Sequence, residues 1–137
     1  MSGQPVDPQL DLYVQAVVDR KAQGVIVLDV RGLTSIADYF ILCSGRSNRQ
    51  VNAIADHVER FLRNAKIHPL SVEGKTDGHW VLLDYGHILM HIFYEETRRF
   101  YDLEGLWIDA ERITTPSLKI QRQQDAGAFD GPEITVD

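Results

Sequence analysis

Gly78-His79-Trp80-Val81-Leu82-Leu83-Asp84-Tyr85-Gly86-His87-Ile88-Leu89-Met90-His91-Ile92-Phe93-Tyr94 consists of two apolar runs either side of a Tyr85-Gly86 break. That is the pattern of an antiparallel hairpin: glycine supplies the positive φ of a tight reversal, and aromatic and β-branched residues favour a pleated surface. Side chains alternate along a strand. Trp80, Leu82 and Asp84 therefore share one face, and Val81, Leu83 and Tyr85 the other. Neither face is wholly polar, so both are expected to be covered, one by the core.

Upstream of the hairpin, Asp38-Tyr39-Phe40-Ile41-Leu42-Cys43-Ser44-Gly45 is apolar at nearly every position, as expected of a strand central in a sheet. Ser47 and Gln50 have the capping-box spacing. Val51, Ile54, Ala55, Val58, Leu62 and Ala65 then form a helical stripe that ends before Pro69. Val25-Ile26-Val27-Leu28-Asp29-Val30 is too short for a helix and reads as a strand. Before it, Asp7-Pro8 opens a helix whose stripe is Leu10, Tyr13, Val14, Val17 and Val18, with Gly24 placed to end it in a left-handed cap. Leu70-Ser71-Val72-Glu73 is a weak strand, joined to the hairpin by the polar loop Gly74–Gly78.

Downstream, Glu95-Glu96-Thr97-Arg98-Arg99-Phe100-Tyr101 reads as a short helix with acids at its positive end. Leu103, Leu106, Trp107 and Ile108 carry a further turn or two of apolar face. After Ile113 the apolar pattern stops. The chain divides into a flexible start at 1–6, one domain over 7–112, and a tail over 113–137 that reads as disordered. The resulting fold class is α/β, a mixed β-sheet with flanking helices.

With 137 residues, 44% hydrophobic and 25% charged, the chain has the make-up of an ordinary globular domain with a real core. A single cysteine excludes an internal disulfide framework and fits a reducing compartment. No apolar run approaches the ~20 residues that span a bilayer, and the start carries no signal pattern, so the expected location is cytoplasmic. A formal charge of −6 repels a nucleic-acid backbone on average and attracts a basic protein surface. The stretch from Glu95 to Arg112 adds six acids against three bases, either a solvated helix face or a steering surface for such a partner.

Several groups invite a chemical reading. Ser44-Gly45-Arg46-Ser47, between strand and helix, has backbone N–H groups that could hold a phosphate. It lacks the Walker and GxGxxG patterns, and a plain turn with an N-cap is the favoured explanation. Nucleotidyltransferases use that layout with paired acids for Mg²⁺, but here Asp84 stands alone, with Leu82 where a second acid belongs. His87 and His91 would lie roughly 13 Å apart on one strand, too far to grip one ion. Cys43 could be a nucleophile beside a histidine, but its apolar strand favours a buried small hydrophobe. No cofactor, metal site or catalytic residue is therefore expected. Trp80 and Tyr85 are of the residue types that dominate interface energetics, or else core.

Ala37–Gly45 with Ser47, Val72-Glu73-Gly74, Trp80–Gly86, His91-Ile92-Phe93 and Arg98–Trp107 recur in an order and spacing that resembles the ribosomal silencing factor (Iojap-like) family. The resemblance covers roughly Leu10 to Asp109. It implies a nucleotidyltransferase-like fold without the catalytic acids, and no enzymatic activity. It also implies a cytoplasmic translational repressor, homodimeric when free, that binds the large ribosomal subunit through universal large-subunit ribosomal protein fourteen. The bound factor would block joining of the small subunit when nutrients are short, without direct sequence-specific nucleic-acid binding and without a membrane. The alternative reading is an active Mg-dependent nucleotidyltransferase. Carried onto this chain, the partner surface is Trp80, Asp84, Tyr85 and Gly86, with Val81 and Met90 as secondary candidates. His87 stands where many relatives have Asp.

Overall fold

A computed structural model describes residues 5–134. Its elements are α1 (Leu10–Val18), β1 (Gln23–Asp29), β2 (Tyr39–Gly45), α2 (Asn48–Asn64), β3 (Ser71–Glu73), β4 (Trp80–Asp84), β5 (Ile88–Tyr94), α3 (Glu95–Tyr101), α4 (Leu103–Leu106), β6 (Glu111–Ile113) and α5 (Pro116–Ile134). The six strands form one sheet in the order β3-β4-β5-β2-β1-β6. β2 and β5 pair in parallel and every other neighbouring pair is antiparallel, so the sheet is mixed. The expected hairpin is β4–β5, with Trp80 opposite Phe93 and Asp84 opposite Leu89.

β2 is buried at all seven positions because it lies in the middle of the sheet with both faces covered. On one face Val81, Leu83, Tyr85, Ile41, Cys43 and Met90 meet the apolar stripes of α1 and α2. On the other, Phe40, Leu42, Leu89 and Phe93 form a second cluster against Leu103, Trp107 and Ala110, with Trp80 and Leu82 at its margin. This is the hairpin alternation read from the sequence, and the second face is covered by the segment after β5.

Three local expectations change. α1 does not end at Gly24; it stops after Val18, and Lys21 takes the left-handed turn at φ 56°. Gly24 instead belongs to β1, at φ 57°, where the register with β2 slips between Gln23 and Ile26. A Cβ there would sit 2.9 Å from Arg98 Nη1. The buried stripe of α2 stops at Leu62, Ala65 being its exposed C-cap. At the other end, Ser47 Oγ accepts from Gln50 N–H at 3.1 Å as the spacing predicts, but Gln50 Oε1 reaches back to Arg46 N–H rather than to Ser47.

The largest change concerns 113–137, read from sequence as a disordered tail. Ile113 closes β6 against Val27, and residues 116–134 form α5; 135–137 lie outside the described residues. The segment carries little apolar pattern: among the described residues Leu118 is its one apolar side chain sunk in the core, at 1% exposure. A polar clamp does the rest. Asp11 on α1 accepts from Ser117 N–H at 2.9 Å and from Ser117 Oγ at 2.7 Å, capping the first turn of α5 from another helix. Burial raises the Asp11 pKa, but hydrogen bonds from Thr115 and Ser117 outweigh it and hold the carboxyl below its usual value. This stabilisation is therefore present above the ordinary carboxylate range and lost as pH falls through the lowered value. Asp11→Ala is expected to cost about 1 kcal/mol and to abolish amide-exchange protection at Ser117 and Leu118. Unchanged protection there would refute the clamp.

Candidate functional site

The exposed aromatic surface is built where β5 runs into α3. Trp80, first residue of β4, lies over the second face of the sheet, with ring centroids 4.9 Å from Phe93 and 4.9 Å from Tyr101. Its indole N–H donates to His91 Nδ1 at 3.1 Å, which fixes both the ring and the histidine tautomer. Trp80 is half-buried: one side is packed and the other lines an open groove of about 640 Å³. Tyr94, Phe100 and Tyr101 supply further aromatic walls, and Asp77 and Glu96 the carboxylates. α3 has no buried residue, and Phe100 is 80% exposed.

The predicted site residues do not form one patch. Trp80 opens β4 and Asp84 closes it, about 13 Å apart at strand rise, with Gly86 in the bend beyond. At the bend, Asp84 Oδ1 accepts from Gly86 N–H at 2.8 Å, and Gly86, at φ 91°, packs beside the exposed Leu70. Asp84 and Gly86 are half-exposed and available to a partner. Tyr85 is not: it points into the helix layer, edge-on to Tyr13 at 5.4 Å, and burial drives its phenol pKa up. Val81 and Met90 have no exposed surface and belong to the core beneath the helices. As direct partner contacts these three are corrected, because alternation sends 81 and 85 to the opposite face from 80 and 84.

Reading the sequence placed Glu96 in a candidate steering stretch but missed Phe100, Tyr101 and Asp77 as its neighbours. The signal available was an Arg-Arg-Phe-Tyr run in a helix too short to bury its own aromatics.

The other candidates resolve into structure. Around Ser44–Ser47, the N–H of Arg46 goes to Gln50 Oε1, that of Gln50 to Ser47 Oγ, and that of Val51 to Ser47 carbonyl. Ser44 Oγ accepts from Arg98 Nη1 at 2.8 Å, so the side chain at the start of this turn is tied to α3. Cys43 is fully buried and its thiol is pushed up to about 12 by desolvation, which suppresses the nucleophilic thiolate. His91 is buried among Phe40, Trp80 and Phe93, and burial lowers its pKa to about 4. His87 Nε2 lies 3.1 Å from Asp7 Oδ2, and His79 lies against Tyr94. Among the described residues no three His, Cys, Asp or Glu side chains converge as metal ligands, and no helix is long and apolar enough to cross a membrane.

A family model described as "Ribosomal silencing factor during starvation" matches residues 4–134. The chain belongs to the ribosomal silencing factor family. It is 39% identical over 104 residues to the ribosomal silencing factor RsfS of Halalkalibacterium halodurans, covering 76% of this chain and 89% of that one. A protein of Mus musculus named "Mitochondrial assembly of ribosomal large subunit protein 1" is 29% identical over 101 residues, covering 72% of this chain and 44% of that one. A crystal structure of a Chromobacterium violaceum protein superposes with a TM-score of 0.72 at 33% identity, covering 82% of this chain and 93% of that one. The silencing-factor match runs through α5, consistent with the docking of that helix on α1.

Proposed function

We propose that this silencing factor is a non-enzymatic translational repressor that binds the large ribosomal subunit and sterically prevents the small subunit from joining. Family membership carries the reading, and the large-subunit name of the mouse relative supports the choice of subunit. The contact is with a basic ribosomal protein, universal large-subunit ribosomal protein fourteen. A chain with formal charge −6 is drawn to such a surface and repelled by bare RNA. Trp80 at the aromatic groove is the anchor, and Asp84 and Gly86 at the far end of β4 extend the contact.

Size does the inhibiting. A 137-residue domain has a radius of gyration of about 14 Å, bulk enough to hold two docking surfaces apart. The free chain is a homodimer, and the exposed Leu106 and Ile108 are apolar area that such pairing would cover. Light scattering on the free protein checks this.

Co-sedimentation with separated subunits tests the central claim. The protein is expected to travel with large subunits and not with small ones, and to reduce joined ribosomes when added before mixing. Trp80→Ala is expected to weaken large-subunit binding by about 2 kcal/mol, roughly 30-fold, with the circular dichroism spectrum retained. Joining that proceeds normally at saturating protein would end this reading.

A further inference from the structure

We propose that the groove beside Trp80 is a receptor for a single arginine side chain of the ribosomal protein partner. This rests on the function proposed above and names the chemistry at its anchor. The groove, of about 640 Å³, combines aromatic walls with two carboxylates, Asp77 and Glu96, and no lysine or arginine lines it. Neither carboxylate has a salt-bridge partner among the described residues.

Two of the nearby cations are committed elsewhere. Lys75, between the loop residues Gly74 and Asp77, turns away to Asp56 and Glu59 on α2. Arg98 on α3 is held by Glu104 and Ser44. His79 lines the groove and the exposed Arg99 follows Glu96 by three positions, yet among the described residues neither forms an ion pair with Asp77 or Glu96, so both carboxylates stand unpaired beside exposed aromatic rings.

The rings touch without stacking flat, with Trp80 and Tyr101 centroids 4.9 Å apart and Phe100 and Tyr101 5.0 Å apart. Trp80 and Tyr101 planes differ by 48°, and Phe100 stands at 89° to Tyr101, so the walls face in several directions rather than forming a flat stack. An apolar side chain could use those walls but would leave both carboxylates unpaired. A guanidinium satisfies both features: its plane stacks on an aromatic face while its N–H groups reach carboxylate oxygens. Lysine offers the charge without the planar stack and fits less well.

The test uses the isosteric double variant Asp77→Asn/Glu96→Gln, in which both altered side chains are exposed and neither holds the core. Large-subunit affinity is expected to fall roughly tenfold, with a shallower salt dependence and an unchanged melting temperature. In parallel, the wild-type chain is titrated with N-acetylarginine amide and with neutral N-acetylcitrulline amide at matched ionic strength. The indole N–H resonance of Trp80 is expected to shift saturably with the first alone, while that of Trp107 stays still. Equal large-subunit affinity of wild type and double variant, or equal shifts with both amides, would overturn the groove assignment while leaving the silencing function standing. If wild-type protein does not sediment with large subunits, the repressor reading falls, and the amide titration alone then decides the groove.

Discussion

Replacing Met90 with alanine is expected to destabilise the domain by about 2–5 kcal/mol while leaving the partner affinity of the folded fraction unchanged. Met90 sits in β5 between Ile41 of β2 and Leu83 of β4, on the helix-covered face, with no exposed surface. Truncation removes buried atoms and leaves a cavity in the centre of the sheet, where neighbours held in two ladders cannot collapse inward. The reading is a urea titration: the midpoint drops and the slope stays the same, since the area exposed on unfolding hardly changes. The contrast with Trp80→Ala separates core from contact. Met90→Ala should lose stability and keep binding, whereas Trp80→Ala should chiefly lose binding. A Met90→Ala protein of wild-type stability would mean that β5 does not pack as described.

The second large effect is a pH dependence placed on one histidine. His91 is held neutral in the fold, its pKa lowered from 6.5 to about 4 by burial. In the unfolded chain it takes up a proton below about pH 6.5, so in the window between the two values the unfolded state binds more protons. Stability is therefore full above pH 6.5, declines as pH falls towards 4, and is not further altered by this group below that. The shift corresponds to roughly 3 kcal/mol across the window. Protonation would also remove the Nδ1 acceptor of the Trp80 indole. His91→Phe keeps an aromatic ring among Phe40, Trp80 and Phe93 but cannot titrate. Its stability at pH 7 should be about 1 kcal/mol lower for want of the indole hydrogen bond. The difference between wild-type and variant stability should then narrow and reverse sign as pH drops to 4. Taking the difference cancels every carboxylate and the other histidines. Parallel curves from pH 7 to 4 would show that His91 is not buried neutral.

Both effects come from the alternation of β4 and β5, which was legible before any coordinates. Trp80, Leu82 and Asp84 could be assigned to one face from spacing alone, because the side-chain period of a strand is two whatever the fold. β2 could be placed centrally because it is apolar at nearly every position, and the stripes of α1 and α2 followed from the 3.6-residue period of a helix. Recognition of the family rested on motifs in the same stretches, and the sheet with flanking helices followed.

What spacing could not say was which face met which layer. Val81, Tyr85 and Met90 were candidate contacts in the sequence and are core in the structure, because α1 and α2 lie over their side of the sheet. Nor could it place the aromatic groove at the Trp80 end of β4, away from the Asp84–Gly86 bend. α5 was invisible for another reason. Among the described residues its attachment rests on Leu118, on Arg122 bonded to the Val25 carbonyl and on a carboxylate 106 residues away in the chain, and hydrogen bonds of such span leave no periodic trace. Gly24 failed similarly, since a positive φ serves a strand bulge as well as a helix end. Asp77, Glu96 and Phe100 become neighbours only when the loop before β4 meets the start of α3. The order of residues thus determined the elements, their buried faces and the family, which depend on neighbours a few positions apart. Folding in three dimensions decided what stayed accessible and which charges met, because those depend on groups that the chain itself keeps far apart.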